Sequence, residues 1–167
     1  ITGYVPADSI TAGDEKTWEF KKTPASFTQE SLGKTVCLGW HQFTNQTAAS
    51  SLYSGIDNTK SMNVISPTLF ALSDNKGNFT SLADTSYVTQ AHDRGLKVWG
   101  LINDFSKDIS LDVILGTTSI RTRLVNRLVG EAISYDLDGI NIDFEKIKAS
   151  NATGYLQFLR ELVLKAH

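Results

Sequence analysis

Eight residues, Asp138-Gly139-Ile140-Asn141-Ile142-Asp143-Phe144-Glu145, alternate polar and apolar side chains in a pattern that can do chemistry. In an extended strand successive side chains point to opposite faces, so Ile140, Ile142 and Phe144 share one side while Asn141, Asp143 and Glu145 share the other. If the apolar row lies under helices, the polar row points toward the interior of the sheet, where an unpaired charge is heavily penalised. Carboxylates two residues apart on one strand are separated by about 6.6 Å. Across a low-dielectric cleft the charge of Asp143 opposes ionisation of Glu145, so one of the pair is expected to hold its proton, as a general acid must. The same groups at the end of a parallel strand could instead take a divalent cation, although no histidine stands near them in the sequence.

Weaker candidates lie where other strands are expected to end. Trp40 and His41 close the first, where an indole can stack on the face of a sugar ring; the alternative is a core tryptophan beside a satisfied histidine. Asn103 and Asp104 end the third, as ligands for hydroxyl groups or as ordinary loop residues. Trp99 and His92 read as packing residues.

These groups need a scaffold, and the chain from Lys34 onward reads as one. Short apolar runs at Thr35–Trp40, Met62–Phe70, Leu96–Asn103 and Gly139–Glu145 alternate with amphipathic stretches, the pattern of repeated strand–helix units and a parallel sheet. Pro67 is expected to end or bend the second run. A first helix is expected around Thr47 to Thr59. Asp84 caps a second that carries Tyr87, Val88 and Ala91 and stops at Gly95. A third, capped by Ser119, sets Ile120, Leu124, Leu128, Val129, Ala132 and Ile133 at helical spacing. The last begins at Ser150 or Asn151 and buries Tyr155, Phe158, Leu159, Leu162, Val163 and Ala166. Residues 1–33, rich in Gly, Pro, Ser, Thr and Lys, read as a linker or the edge of another module.

Composition narrows the partners. The 167 residues carry 16 Lys and Arg against 18 Asp and Glu, a net charge of −2, without the basic footprint of a nucleic-acid or anionic-membrane binder. Neither class of partner is expected. One cysteine, Cys37, and three scattered histidines form no zinc spacing, so no structural metal or cofactor is expected. No run approaches 18 apolar residues, and no basic segment followed by an apolar run opens the chain. Because the first residue is Ile1, a processed chain or an excised piece is expected.

The segment DGINIDFE resembles the DGxDxDxE signature of glycoside hydrolase family 18, which holds chitinases and endo-N-acetylglucosaminidases. The one departure is Asn141, where many members carry aspartate. Likeness extends through NVISPTLFAL, AHDRGLKVWGLIND and LVGEAISYDLDGINIDFE, which resemble spore and cell-wall hydrolases of Gram-positive bacteria, and covers roughly Lys34 to His167. The opening ITGYVPADSI resembles the closing strand of bacterial wall-binding domains of the Src-homology-3 type.

The resemblance implies an α/β fold, with residues 34–167 forming the first four βα units of a (β/α)₈ barrel and the signature on its fourth strand. A whole barrel takes about 250 residues, so half of one is expected here, with open sheet edges that invite self-association. It further implies a retaining glycosidase with catalytic residues Glu145, Asp143, Asn141 and Asp138, in which the substrate supplies its own nucleophile. Glu145 would protonate the glycosidic oxygen while the acetamido carbonyl of the sugar attacks the anomeric carbon. Asp143 would orient the acetamide, and Asp138 would support the turn and the network behind it. Trp40, His41, Asn103 and Asp104 are the expected substrate contacts. The implied partner is β-1,4-linked N-acetylglucosamine polysaccharide, peptidoglycan or chitin, outside a bacterial cell or on its spore; a barrel that binds sugar without turnover is the alternative.

Overall fold

Residue 67 is a proline within an apolar run, and its missing N–H shapes the sheet. The computed structural model describes Gly33, residues 35–45, Thr47, Leu52, Ile56 and residues 59–167. All of these fall in one unit, Leu32–His167. The run expected as a single strand is two: β2, Val64–Pro67, and β3, Phe70–Leu72. Between them the Leu69 N–H turns back to the Pro67 carbonyl at 2.9 Å, and the chain resumes pairing at Phe70.

One long strand absorbs both pieces. β5, Lys97–Asn103, pairs parallel with β2 through Val64↔Lys97 and Ile65↔Val98, then parallel with β3 through Phe70↔Ile102 and Ala71↔Asn103. Its other side takes β6, Gly139–Asp143, in parallel register from Trp99↔Gly139 to Asn103↔Asp143. β1, Leu38–His41, pairs parallel with β2. The four expected runs therefore do form a parallel sheet. β4, Phe79–Ser81, was not expected; it returns antiparallel on β3.

Strand ends differ from expectation for identifiable reasons. Ahead of β1, which begins at Leu38, a side chain supplements the backbone: Asn63 Oδ1 accepts from the Cys37 N–H at 2.9 Å and Asn63 Nδ2 donates to the Thr35 carbonyl at 2.7 Å, while the Cys37 carbonyl accepts from the Asn63 and Val64 N–H groups. β6 stops at Asp143, two residues short of Glu145, because the next amides leave the sheet.

Helices cover one face. α1, Thr85–His92, is capped by the Asp84 carboxylate, which accepts from the Tyr87 N–H at 2.9 Å, and the chain leaves it through Gly95 at φ 73°. α2, Leu111–Gly116, had no counterpart in the sequence reading; α3, Thr118–Ser134, follows it after a break at Thr117. Ser119 is therefore inside α3, and its cap position is Thr117. α4, Ala152–Ala166, buries Phe158 and Leu162, whereas Val163 is 54% exposed and Ile133 of α3 is 77% exposed, contrary to the expected faces. Of the helix expected around Thr47 to Thr59, Thr47, Leu52 and Ile56 are described as helical, the last two buried, and Thr59 is not; the rest of it, and residues 1–32, lie outside the described residues.

The core lies between this sheet and the helices. Phe70, Ile102, Leu124, Leu128 and Phe158 are fully buried there, and Ile140, Ile142 and Phe144 pack against them. A buried arginine ties the helices together. Arg121 of α3 donates to the Leu115 carbonyl at 2.7 Å and forms an ion pair with Glu161 of α4 at 3.0 Å, and that bond holds the Glu161 carboxyl below its ordinary range.

Candidate functional site

Phe144 decides which way the polar row points. Its ring stacks on Phe158 of α4 with centroids 5.8 Å apart, so the apolar row of β6 faces the helices and Asn141 and Asp143 face the other side of the sheet. Residues in register on neighbouring strands share a face. Asn103 therefore lies on the side of Asp143, its register partner, and Trp40 on that of Ser66.

A short polar chain joins these strands. Asn141 Nδ2 donates to Ser66 Oγ at 3.0 Å, and Ser66 Oγ donates to the Trp99 carbonyl at 2.9 Å. Ser66, fully buried, escaped the sequence reading; the signal available was a lone hydroxyl within the apolar run Val64–Pro67. Trp40 is 73% exposed, its indole open to solvent. Gly139 is small for a reason: a Cβ there would meet the Trp99 ring at 2.8 Å.

At the carboxyl end the sheet gives way to a pinned loop. Asp104, just past β5, accepts from the Glu145 N–H at 3.0 Å and from the Lys146 N–H at 2.9 Å. Asn151 accepts from the Lys148 N–H at 2.9 Å and donates to the Lys146 carbonyl at 3.4 Å. Asn103 donates to the Phe70 carbonyl at 3.3 Å and accepts from the Phe105 N–H at 3.2 Å. Asp143 is half-buried and Glu145 exposed. The sheltered hollow expected around both carboxylates thus covers Asp143 in part and leaves Glu145 open, because Glu145 lies beyond the strand and the described residues place no strand on the far side of β6.

Three of the expected site residues have their side chains engaged by other protein groups. Asp138 precedes β6, at the end of the strand opposite Glu145, where its carboxylate accepts from Lys97 Nζ, from the Val98 N–H at 2.8 Å and from His92 Nε2 at 2.8 Å. Burial raises its proton affinity, but those three bonds outweigh burial and hold Asp138 below the ordinary carboxylate value. His41 turns to the helix face: its Nδ1 lies 2.8 Å from Tyr87 Oη and its ring stacks on that of Tyr87. Burial lowers the pKa of His41 and raises that of the Tyr87 phenol. Asp104 is fully buried, with both oxygens turned to backbone amides.

Two cavities frame the sheet. One of about 270 Å³ lies at the carboxyl ends of β1, β2 and β5 and the start of β3, between Gln42, Phe43, Leu69, Asn103 and Phe105, on the side where the polar loop begins. A larger one, about 610 Å³, opens at the other end of β6 between Ile133, Leu137, Leu162 and Val163, far from the carboxylate pair in the chain's layout. Among the described residues no group of three or more His, Cys, Asp or Glu side chains converges as a metal site.

No protein-family profile matches the chain. Over 106 residues it is 29% identical to a Bacillus subtilis protein named uncharacterized glycosylase YvbX, a match that takes in 59% of this chain. Among solved structures, a chitinase from Bacteroides thetaiotaomicron superposes with a TM-score of 0.64 over 77% of this chain at 18% identity. The spore cortex-lytic enzyme SleL from Bacillus cereus does so with a TM-score of 0.61 over 78% at 16% identity. The chain spans 30% of the length of YvbX, 42% of the chitinase and 32% of SleL. Its mixed α/β fold, a parallel sheet with helices, is similar to that of these chitinase and cortex-lytic domains.

Proposed function

We propose that the chain is the first half of a (β/α)₈ barrel of glycoside hydrolase family 18 type, and that the complete protein hydrolyses β-1,4-linked N-acetylglucosamine polysaccharide. The supporting observation is the placement of Asp143 on the polar face of β6 with Glu145 directly beyond its carboxyl end, the end at which such barrels carry their chemistry. Glu145 protonates the leaving oxygen. Asp143 holds the acetamido group whose carbonyl attacks the anomeric carbon, so a positive charge develops beside a carboxylate. Asn141, anchored to Ser66, fixes the strand behind Asp143, and Trp40 offers an open indole to a sugar face. Asn103 stands beside Asp143 as a candidate for sugar hydroxyls. His41 and Asp138 support packing and the far end of the strand.

The substrate we favour is peptidoglycan, acted on outside the cell or in the spore wall, because the cortex-lytic enzyme shares the fold and the opening segment resembles a wall-binding module. Units that complete the barrel would shelter Glu145, and until they do the open edge of β6 invites a second copy.

The test is turnover of N-acetylglucosamine oligomers and of purified peptidoglycan by the full-length protein and by its Glu145→Gln variant. The variant is expected to lose about 10²–10⁴-fold in kcat while still binding the oligomer. Unchanged turnover overturns the assignment, and binding without turnover in the unsubstituted protein marks a sugar-binding barrel instead.

A further inference from the structure

Asp104 is the fully buried acid of the described chain, and its position was expected to suit a ligand. Its oxygens are both engaged by protein. Oδ1 accepts from the Glu145 N–H at 3.0 Å and Oδ2 from the Lys146 N–H at 2.9 Å, so one carboxylate grips two successive amides of the loop that follows β6. Those amides no longer have strand partners, since β6 ends at Asp143 and the ladder with β5 ends at Asn103↔Asp143. Both bonds are part-buried, and an amide withdrawn from water without an acceptor is costly, so the loop's path leans on this one side chain.

We propose that Asp104 is a positioning residue: it sets the place of Glu145 by fixing the backbone at the two positions where the chain leaves the sheet. The inference rests on the reading of Glu145 as the acid, and extends it to a residue that touches no substrate. The chemistry of the grip is selective. A carboxylate offers acceptors on both oxygens, whereas an asparagine turns an NH₂ donor toward one of the two amides. Lys146 reinforces the arrangement by donating through Nζ to the Ser106 carbonyl two residues beyond Asp104. The loop is thus held to the end of β5 by backbone and side chain together, and an acid displaced by about 1 Å can lose about 10²-fold in rate.

The experiment combines amide hydrogen exchange and kinetics on the full-length protein. In the unsubstituted protein the amides of Glu145 and Lys146 are expected to exchange far more slowly than in an unstructured peptide. In Asp104→Asn, or in Asp104→Ser should that variant fail to fold, at least one of the two amides loses protection and kcat on an N-acetylglucosamine oligomer falls about 10–100-fold with KM little changed. Rapid exchange at both amides in the unsubstituted protein overturns the grip itself. Full kcat in a variant that has lost protection at either amide overturns the positioning role. Either result leaves the Glu145→Gln test intact, and a Glu145→Gln variant that keeps turnover removes the catalytic reading without touching the exchange result.

Discussion

At the scale of single residues, the signature DGINIDFE divides into parts with separate duties. Gly139 makes room for the Trp99 indole, Asn141 links to buried Ser66 and Phe144 locks onto Phe158, while Asp143 and Glu145 are the proposed reacting groups. The Gly139→Ala variant is expected to lose about 1–3 kcal/mol of stability, since the added methyl meets the ring at 2.8 Å and the ring must move within a packed face. Denaturant unfolding monitored by tryptophan fluorescence reads that loss; an unchanged midpoint would mean that Trp99 swings aside freely. Alternation alone made the facing of Asn141 and Asp143 legible, because period-two patterning survives wherever a strand does. The surroundings of Glu145 were not legible in this way. They depend on where the strand stops, and that is decided by Asp104, 41 positions away in the chain.

At the scale of elements, the parallel strands and the Asp84 cap could be read directly, since apolar runs and cap chemistry are local signals. The β3–β4 hairpin and the short α2 could not. Pro67 interrupts the pattern that would have revealed the first, and six residues give too little periodicity to reveal the second. The face taken by the His41 ring was not legible, because a residue at a strand end gives no sign of it until α1 supplies Tyr87. The far end of β6 yields a pH prediction. Asp138 joins β5, β6 and α1 through Lys97, Val98 and His92, and its carboxyl is held below the ordinary value of 3.8. A group whose pKa is lower in the folded chain adds stability that is fully present above the unfolded value and is lost as pH falls through the folded one. Replacing Asp138 with Asn should therefore cost about 1–3 kcal/mol near neutral pH, and the gap to the unsubstituted protein should close below pH 3.8. Urea titrations at pH 7, 5 and 3 measure it; a gap that stays constant across that range contradicts the ion cluster as its source.

At the scale of the whole molecule, the helices described above lie on one face of the sheet and the proposed site on the other. β6 pairs only with β5 among the described residues, and Ile133, Leu156, Val163 and Leu164 of the adjoining helices are exposed. An apolar rim beside a strand paired on one side among the described residues is what further strand–helix units would cover, in keeping with the proposed half barrel. Glu145, open to solvent here, would then line the floor of a cleft instead of a surface. The most direct test of that account is a crystal structure of the full-length Glu145→Gln variant with an N-acetylglucosamine tetrasaccharide. The account predicts a glycosidic oxygen within hydrogen-bond reach, about 3 Å, of the side chain at position 145, with the acetamide of the neighbouring sugar against Asp143. A sugar bound with its bridging oxygens far from that side chain would contradict it.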